Sequence, residues 1–382
     1  MDVKIKNIVF MVAFPFPFGE ASSIRALNIC KLLKYSGYNV HVIADFISES
    51  IGDADMYCTF QGCLSKQPPI YKRFQRPKAA VKALEKYCEN NKVDIVLANA
   101  RSDRFSSLVR LCRKKRLKLI IESCEWYDIS SYKLGRFDWR YYINQNMIIN
   151  GFKKVDGFIS ISKFLNDYNS SLGKKSIRIP TIMDVSKIIW KETLNNKKIN
   201  IVYTGSPGTS KELLRPIIQA LANNKVLQNK IVFHIYGPNI ETVKKNIVDE
   251  NLLSKVQTSV LIHGRVSQNQ MPLILCNADY LIFIRPNRRS SNAGFPTKFG
   301  ESMAAGTPVI TNATGDIDLY LENGKNGFLL KDGSAETVQI ILNKIIELGS
   351  DQIKIMRKNA RKTAEKNFDY HHYINEIKKI FD

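Results

Sequence analysis

Short, continuous apolar runs alternate along the chain with longer amphipathic stretches. Such runs are typical of parallel strands buried on both faces, and the stretches between them have the periodicity of covering helices. The pattern therefore predicts an α/β fold with two doubly wound parallel sheets. The predicted strands lie at 7–14, 39–46, 93–100, 118–125, 156–162 and 176–180 in the first half, and at 199–206, 230–238, 260–266, 280–286 and 308–312 in the second.

A polar, non-periodic segment at 184–198 separates the two sets of strands. We place the domain boundary there, which gives a first Rossmann-like domain over residues 1–183 and a second over 184–365. Residues 366–382 contain a candidate helix, and we expect its apolar side chains to pack back on the first domain. Ligands bind at the carboxyl ends of the strands in open parallel sheets. We therefore expect the two domains to face a central cleft.

Composition excludes several classes of protein. Apolar residues make up 44% of the chain, which is enough for real cores, but no run reaches the roughly 20 apolar residues of a membrane span. The apolar run near the N-terminus is short, lacks a small-residue cleavage site and is interpreted as a first strand. The seven cysteines lack a CxxC pair and are not interleaved with histidines at zinc-ligand spacing. We expect a reduced, cytoplasmic protein with no metal.

The formal net charge of +22 needs an explanation, and residues 1–183 hold 30 Lys and Arg against 16 Asp and Glu. Dense basic runs occur at 71–78 and 110–118. A solvated basic face is one interpretation. Peripheral adsorption to the anionic inner face of the plasma membrane is another, since each basic residue near such a surface contributes on the order of 1 kcal/mol. No finger, RNP or basic-zipper pattern is present, so we expect no nucleic-acid partner.

The stretch "GFPTKFGESMAAGTPVI", at 294–310, predicts a short helix that begins near Pro296. Lys298 and Glu301 are three residues apart and share a face near its N-terminus. Free N–H groups and the helix dipole favour an anion there, and Arg285 adds a full charge. The residues predict a diphosphate site in which Glu301 binds hydroxyls such as those of a ribose. Alternatively, Glu301 only complements the helix dipole and Lys298 is solvated.

Two further loops follow strands of the second domain. In "TGSPGTSKE", at 204–212, Gly205 permits a close approach of the backbone, and Lys211 could reach a phosphate from the start of the next helix. The loop "HGRVSQNQ", at 263–270, could bind a base through its main chain, and it contains Arg265. None of these loops is a Walker A sequence.

Taken together, these segments resemble the retaining glycosyltransferases of family 4, also called glycosyl transferases group 1, which have the GT-B fold. The resemblance covers most of the chain and is strongest in "PTKFGESMAAGTPVITN" and "GKNGFLL". It implies that Glu301 binds the ribose of a nucleotide-sugar donor and that Lys211 stabilises the departing diphosphate, with Lys298 and Arg285 beside it. The expected donor contacts are Gly19, Arg25, Gly205, Ser206, Arg265, Asn292, Ala293, Gly294, Phe295, Pro296, Thr297 and Glu301.

The first domain agrees with this resemblance. The segment 19–43 resembles the family's glycine-containing first loop and helix, with Gly19 and Arg25 at the matching positions. Residues 123–130 lie where many relatives have a loop that contacts the substrate. Trp126 and Tyr127 could stack on a sugar ring or could belong to the core. The expected acceptor contacts are Glu125, Trp126, Tyr127 and Asp128.

Three positions depart from the family pattern. Family members often have a second glutamate eight residues before the position of Glu301, where this chain has Ala293. The arginine that commonly follows the loop glycine is Ser206 here. The histidine that many members have in the first domain is missing near 122–128. These differences bear on the identity of the sugar more than on the class of reaction.

The resemblance implies transfer of a sugar, with retention at the anomeric carbon, from a nucleoside diphosphate sugar to a saccharide or a lipid-linked saccharide. We expect a hexosyltransferase of cell-surface polysaccharide biosynthesis that uses a UDP-sugar and needs no metal or other cofactor. Two alternatives stay open. One is a nucleotide-sugar epimerase on the same frame, and the other is a non-catalytic partner of a glycosyltransferase complex.

Overall fold

The structure is a computed structural model and describes residues 5–64, 75–194, 196–207 and 212–382. The chain divides into two compact units. Unit 1 comprises Met1–Met183, Ala293–Phe295 and Tyr370–Asp382. Unit 2 comprises Asp184–Asn292 and Pro296–Asp369.

Unit 1 is built on a sheet of seven parallel strands in the order β3-β2-β1-β4-β5-β6-β7. The strands are β1 (Asn7–Phe16), β2 (Asn39–Ile47), β3 (Thr59–Gly62), β4 (Ile95–Asn99), β5 (Lys118–Ser123), β6 (Gly157–Ser160) and β7 (Lys175–Arg178). Its connecting helices are α1 (Ala21–Tyr35), α2 (Gln75–Asn90), α3 (Phe105–Lys115), α4 (Trp139–Asn146) and α5 (Lys163–Ser171).

Unit 2 repeats this architecture with six parallel strands in the order β10-β9-β8-β11-β12-β13. The strands are β8 (Ile199–Thr204), β9 (Ile231–Tyr236), β10 (Val260–Gly264), β11 (Tyr280–Ile282), β12 (Val309–Asn312) and β13 (Gly327–Leu330). The helices are α6 (Arg215–Ala222), α7 (Lys225–Lys230), α8 (Ile240–Asn246), α9 (Glu250–Ser254), α10 (Met271–Cys276), α11 (Arg289–Ala293), α12 (Thr297–Ala304), α13 (Ala335–Ile345) and α14 (Ser350–Asn367).

The last helix, α15 (Ile374–Phe381), belongs to unit 1 although it follows unit 2 in the chain. Ile377, Ile380 and Phe381 are fully buried in the core of unit 1, in the same hydrophobic cluster as side chains of β1, α1 and β7. Lys6 and Lys118 donate to the carbonyl oxygens of Phe381 and Ile380, at 2.8 and 2.5 Å. Apart from the neighbouring Tyr370, the buried members of this core that precede the helix do so by nearly 200 residues or more.

The predicted architecture of two doubly wound parallel-sheet domains is confirmed. The hydrophobic pattern does not predict β3, because this edge strand is partly exposed and has no continuous apolar run. The predicted strand at 280–286 is shorter in the structure. After Ile282 the chain stays buried, but its main chain bonds to two separate segments. The Phe283 N–H donates to the Ile310 carbonyl, and the Ile284 carbonyl accepts from the Leu213 N–H.

No helix in the described ranges is both long enough and apolar enough to cross a membrane. All seven cysteines are free thiols. Burial raises the pKa of the Cys112 thiol and that of Cys63 to about 12 each. These two thiols are therefore protonated at neutral pH.

Candidate active site

The carboxyl ends of β8 and β9 run into two glycines whose backbones touch. Gly205 has a φ of +136° and Gly237 a φ of +126°, conformations that favour glycine. A Cβ atom on Gly237 would lie 1.7 Å from the Gly205 carbonyl oxygen, so no side chain fits there. The Gly205 N–H donates to Tyr236 at 3.0 Å, and the Gly237 N–H donates to Gly264 at 2.8 Å. The two loops are thus held side by side at the edge of the sheet where ligands bind.

A cavity of about 360 Å³ opens beside these loops. The Asn239 side chain accepts from the Thr242 N–H at 2.9 Å and caps α8, which shapes one side of it. Ser206 and Arg265, two of the predicted donor contacts, are exposed there. Its lining combines backbone, hydroxyl, amide and guanidinium groups, from Ser206, Pro207, Gly237, Pro238, Asn239, Thr242 and Arg265.

The short helix predicted near Pro296 is present as α12. Pro296 is its N-cap residue, and within the described residues no side chain caps the N-terminus. The first-turn N–H groups at Thr297 and Lys298 have no earlier helical carbonyl to bond, which is the usual setting of an anion site.

Lys298 lies in a buried cluster with Glu212 and Tyr203. Its ammonium is 2.6 Å from Glu212 Oε2, and the exposed fractions of the two side chains are 13% and 7%. The same carboxylate oxygen accepts from the Tyr203 hydroxyl at 2.5 Å. The ammonium also lies 4.4 Å from the centre of the Tyr203 ring. Burial and the nearby carboxylate raise the pKa of Tyr203 well above its ordinary value, so the hydroxyl stays protonated and donates to Glu212.

The position of Lys298 depends on Gly205. A Cβ atom at Gly205 would come within 2.6 Å of the Lys298 Nζ atom, so the ammonium occupies the space that the glycine leaves open. The loop after β8 and the first turn of α12 are thereby joined around one cation. Both elements had been predicted to contact a diphosphate, and the structure brings them together.

Glu301 lies one turn further along α12 and is half-buried. Burial raises the pKa of its carboxyl group, and the positive charge of Lys298 opposes that shift. Among the described residues none donates a hydrogen bond to this carboxylate. It is thus a partly desolvated acceptor whose hydrogen-bonding capacity remains available for hydroxyl groups.

The loop between β11 and α12 is held by two asparagines. Asn312 Oδ1 accepts from the Arg285 N–H at 2.9 Å, and Asn312 Nδ2 donates to the Arg285 carbonyl at 2.7 Å. Arg285 is buried, with an exposed fraction of 6%. Asn292, a predicted donor contact, accepts from the Gly315 N–H at 2.9 Å and donates to Asn287 at 2.9 Å. In this structure Asn292 holds the loop together.

The segment from Ala293 to Pro296 is buried, so Ala293, Gly294, Phe295 and Pro296 present mainly backbone groups. The Ala293 carbonyl accepts from the Ser162 hydroxyl at 2.6 Å, and both residues belong to unit 1. Thr297, at the start of α12, is partly exposed. Lys211, the predicted stabiliser of the diphosphate, lies outside the described residues, and its role stays a prediction.

In unit 1 the two residues predicted to contact the donor differ in setting. Gly19 is exposed, with a φ of +135°, just before α1. Arg25 is buried. Its guanidinium donates to Glu122 at 2.8 Å and to the carbonyl oxygens of Pro180 and Ile179 at 2.5 and 3.0 Å. These contacts hold α1 against the carboxyl ends of the strands, so Arg25 has a structural role, and donor contact by Arg25 stays a prediction.

The predicted acceptor loop has one buried and three more accessible members. Trp126 is 9% exposed, packs against Phe164 and Tyr168, and donates to Gln145 at 2.9 Å. Its ring is therefore part of the core. Tyr127 and Glu125 are exposed and Asp128 is partly exposed, so the interpretation of Tyr127 as a sugar-stacking residue stays open.

Two residues of this site were not assigned a role from the sequence. Glu212 follows Lys211 in the quoted loop, but its partner Lys298 is 86 residues away. Asn312 is the last residue of β12. The sequence signal for its role is weak: a polar residue follows an apolar run, at the carboxyl edge of the predicted sheet. Neither pairing is encoded in local spacing.

Family models match both halves of the chain. Residues 184–366 match the model described as Glycosyl transferases group 1. Residues 22–187 match the model described as Glycosyltransferase Family 4. The two matches together extend from residue 22 to residue 366.

Two curated relatives are similar in sequence. An uncharacterized glycosyltransferase of Methanocaldococcus jannaschii is 27% identical over 245 residues, which cover 60% of this chain and 59% of the relative. The amylovoran biosynthesis glycosyltransferase AmsK of Erwinia amylovora is 25% identical over 150 residues, which cover 38% of this chain and 35% of AmsK. The chain thus matches less than two thirds of the length of either relative.

Solved structures share the fold over nearly the whole chain. A sucrose-phosphate synthase from Thermosynechococcus elongatus superposes with a TM-score of 0.76 at 14% identity, covering 98% of both chains. The Anabaena protein HepE in complex with UDP and glucose superposes with a TM-score of 0.69 at 15% identity, again over 98% of both chains. At these identities the similarity shows the fold alone.

Proposed function

Because the chain belongs to the GT-B glycosyltransferases of group 1 and family 4, we propose that it moves a sugar from a nucleoside diphosphate sugar to an acceptor hydroxyl. The observation that carries this proposal is the Lys298 ammonium in the first turn of α12, in the space that Gly205 leaves open. A full positive charge and the positive end of a helix dipole converge there, which favours binding of a diphosphate.

We assign the diphosphate, the ribose and the base of the donor to different groups of residues. The diphosphate would contact Lys298, Lys211 and the first turn of α12, and the ribose hydroxyls would donate to Glu301. The cavity of about 360 Å³ next to Gly237 would take the base. A UDP-sugar is the preferred donor, since HepE, which shares the fold, has been crystallised with UDP and glucose.

The proposed reaction retains the configuration of the anomeric carbon. The bond from that carbon to a diphosphate oxygen breaks, and a bond to the acceptor oxygen forms on the same face. The acceptor proton passes to a phosphate oxygen of the leaving group. Negative charge builds on the diphosphate during this step, so pre-placed cations lower the barrier, and we propose that no metal is needed.

The Glu212 carboxylate adds a feature to this mechanism. Without a ligand it balances the charge of Lys298 at 2.6 Å, with little exposure to water. A bound diphosphate would offer a second anion to the same ammonium, and its charge is largest as the sugar leaves. Glu212 would therefore act as a positioning residue that keeps Lys298 extended toward Gly205.

We propose a saccharide or lipid-linked saccharide as the acceptor and a role in cell-surface polysaccharide biosynthesis. Support comes from AmsK, which is named for amylovoran biosynthesis. The candidate acceptor contacts are three side chains of the loop after β5, those of Glu125, Tyr127 and Asp128. Transfer of a hexose and a location at the inner face of the plasma membrane belong to the same proposal.

A thermal-shift screen of UDP, GDP and ADP and their sugars tests donor binding, because a ligand that binds only the folded state raises its apparent stability. Hydrolysis and transfer assays with the best donor then test catalysis. We expect Lys298→Ala to lower turnover about 100-fold or more, since it removes a group that stabilises developing phosphate charge.

Lys325→Ala is the matched control, because Lys325 is an exposed residue of unit 2 paired with Glu322 at 2.6 Å. Unchanged turnover in Lys298→Ala would remove Lys298 from the mechanism. Binding of a nucleotide sugar without hydrolysis or transfer to any acceptor would instead favour the non-catalytic alternative, and epimerised donor would favour the epimerase.

A further inference from the structure

A turn and a helix of unit 1 expose an unusual set of large apolar side chains. They are Leu134 (64% exposed), Phe137 (77%), Trp139 (58%), Tyr142 (55%) and Ile143 (41%). We call these five residues the aromatic patch. Soluble proteins seldom expose so many large apolar side chains within ten residues, and such patches mark surfaces that bind a partner or a membrane.

The aromatic patch is held in place by folded structure. Asp138 is 1% exposed and caps α4, accepting from the Arg140 N–H at 3.1 Å and from its guanidinium at 2.8 and 2.5 Å. The Tyr142 hydroxyl donates to the Arg136 carbonyl at 2.9 Å and ties the helix to the preceding turn. The side chains therefore project from a fixed support.

The orientation of α4 explains why these residues are exposed. Asn144 and the adjoining Met147 and Ile148 are buried. Trp139, Tyr142 and Ile143 follow the spacing i, i+3 and i+4, so they share the opposite face. An amphipathic helix normally buries its aromatic face, whereas here that face is turned to solvent.

The charge around the aromatic patch favours an anionic partner. Between residues 129 and 155, a stretch bounded by Asp128 and Asp156, there are five basic residues and a single acidic one. The acidic residue, Asp138, is buried and engaged by Arg140. The Arg136 guanidinium lies 5.0 Å from the centre of the exposed Phe137 ring. The exposed cations are Lys133, Arg136, Arg140, Lys153 and Lys154.

We propose that the aromatic patch and its surrounding cations form the surface by which this protein binds an anionic lipid bilayer. Trp and Tyr prefer the interface between headgroups and acyl chains, while Lys and Arg are drawn to anionic headgroups. Phe137 and Leu134, at the tip of the turn, would enter furthest. This location differs from the basic run at 110–118, whose helix α3 buries its apolar face in unit 1.

None of the five residues of the aromatic patch is assigned a role in the transfer reaction. The membrane proposal and the proposed function can therefore be disproved independently of each other. Flotation of the full chain with vesicles of phosphatidylcholine, with and without phosphatidylglycerol, measures binding. We expect preference for the anionic vesicles and loss of at least about tenfold in binding for Leu134→Ser combined with Phe137→Ser. Ile340→Ser combined with Ile355→Ser is the control, because these side chains of unit 2 are 66% and 58% exposed.

Fluorescence gives a second readout at the patch itself. Trp139 is 58% exposed and Trp126 only 9%. We expect anionic vesicles to shift the emission of the protein to shorter wavelength, Trp139→Phe to abolish that shift, and Trp126→Phe to retain it.

Three results would overturn the membrane proposal. In the first, the patch variants bind vesicles with the same affinity as the unchanged protein. In the second, the Trp139→Phe variant keeps the full shift in emission. In the third, light scattering shows that the unchanged protein is a dimer and that the patch substitutions dissociate it. In the last case the aromatic patch would be a surface between two copies of the chain. Nucleotide binding, measured by thermal shift on the same variants, should be unchanged, and its absence in all variants would count against the proposed function alone.

Discussion

At the scale of single residues, the charge of Lys298 is already balanced before any ligand arrives. Its ammonium lies against a buried carboxylate and over an aromatic ring. Removal of one partner from such a pair leaves the other charge poorly solvated, which costs more than the pair itself contributes. Glu212 is therefore open to a test that separates its structural effect from ligand binding.

We expect Glu212→Gln to lower the free energy of unfolding by about 1–3 kcal/mol, since the amide still accepts from Tyr203 but leaves the ammonium without an anion. A bound nucleoside diphosphate should restore that anion. The increase in melting temperature caused by the preferred nucleotide should therefore be larger in the variant than in the unchanged protein.

Glu322→Gln serves as the control, because Glu322 forms a similar ion pair with Lys325 at an exposed site. An equal nucleotide-dependent increase in melting temperature for Glu212→Gln and the unchanged protein would show that the diphosphate does not replace the carboxylate.

His41 provides a pH-dependent prediction in unit 1. Burial lowers its pKa from 6.5 to about 4, and its ring stacks on Tyr87 with ring centres 4.0 Å apart. Because the folded pKa is depressed, the unfolded chain binds the proton more readily, and the native state loses stability as pH falls from about 6.5 to about 4. The largest possible loss is about 3 kcal/mol.

We expect His41→Gln to lose less stability than the unchanged protein between pH 7 and pH 4.5, as measured by urea unfolding at each pH. His372→Gln, at an exposed position, should keep the original pH dependence. Identical pH profiles for His41→Gln and the unchanged protein would show that His41 does not titrate differently in the two states.

At the scale of elements, the carboxyl edge of the second sheet depends on two glycine turns that have no room for side chains. Gly237→Ala would place a methyl group 1.7 Å from the Gly205 carbonyl oxygen and strain a φ of +126°. We expect a loss of at least about 3 kcal/mol, or failure to fold, by thermal unfolding.

Gly349→Ala is the appropriate comparison, since its Cβ atom would meet no atom within 4 Å. A Gly237→Ala variant as stable as Gly349→Ala would mean that the two loops can separate without cost.

The strand pattern could be predicted because each central strand is a continuous apolar run bounded by polar residues. The α12 helix also followed from local sequence, because about two helical turns fit between Pro296 and Gly306. The Lys298–Glu212 pair and the burial of Trp126 could not be predicted, because both arise from segments that meet only after the sheets form. The aromatic patch is a case in which the local pattern predicts the wrong environment. Its spacing is that of a buried helix face, and only the structure shows that this face is exposed.

At the scale of the whole molecule, the core of unit 1 includes its distant C-terminal helix. Gly157 leaves space for Ile380, whose Cδ1 atom would lie 3.0 Å from a Cβ at that glycine. We expect Ile380→Ala to lower the free energy of unfolding by about 2–5 kcal/mol, because it opens a cavity in a closed core.

Chemical denaturation with a probe in unit 1 measures this loss, and Ile355→Ala, at a 58% exposed position of α14, should change stability by less than about 0.5 kcal/mol. If Ile380→Ala were as mild as Ile355→Ala, the helix would contribute little to the core.

The return of α15 to unit 1 also governs the order of events during translation. Domains commonly fold as they leave the ribosome, the N-terminal one first. Here β1 and α1 emerge early, yet Ile377, Ile380 and Phe381 are synthesised only after every residue of unit 2. The nascent unit 1 therefore exposes part of its core to chaperones and proteases until unit 2 has been synthesised, and a premature stop late in the message would damage the part of the protein made first.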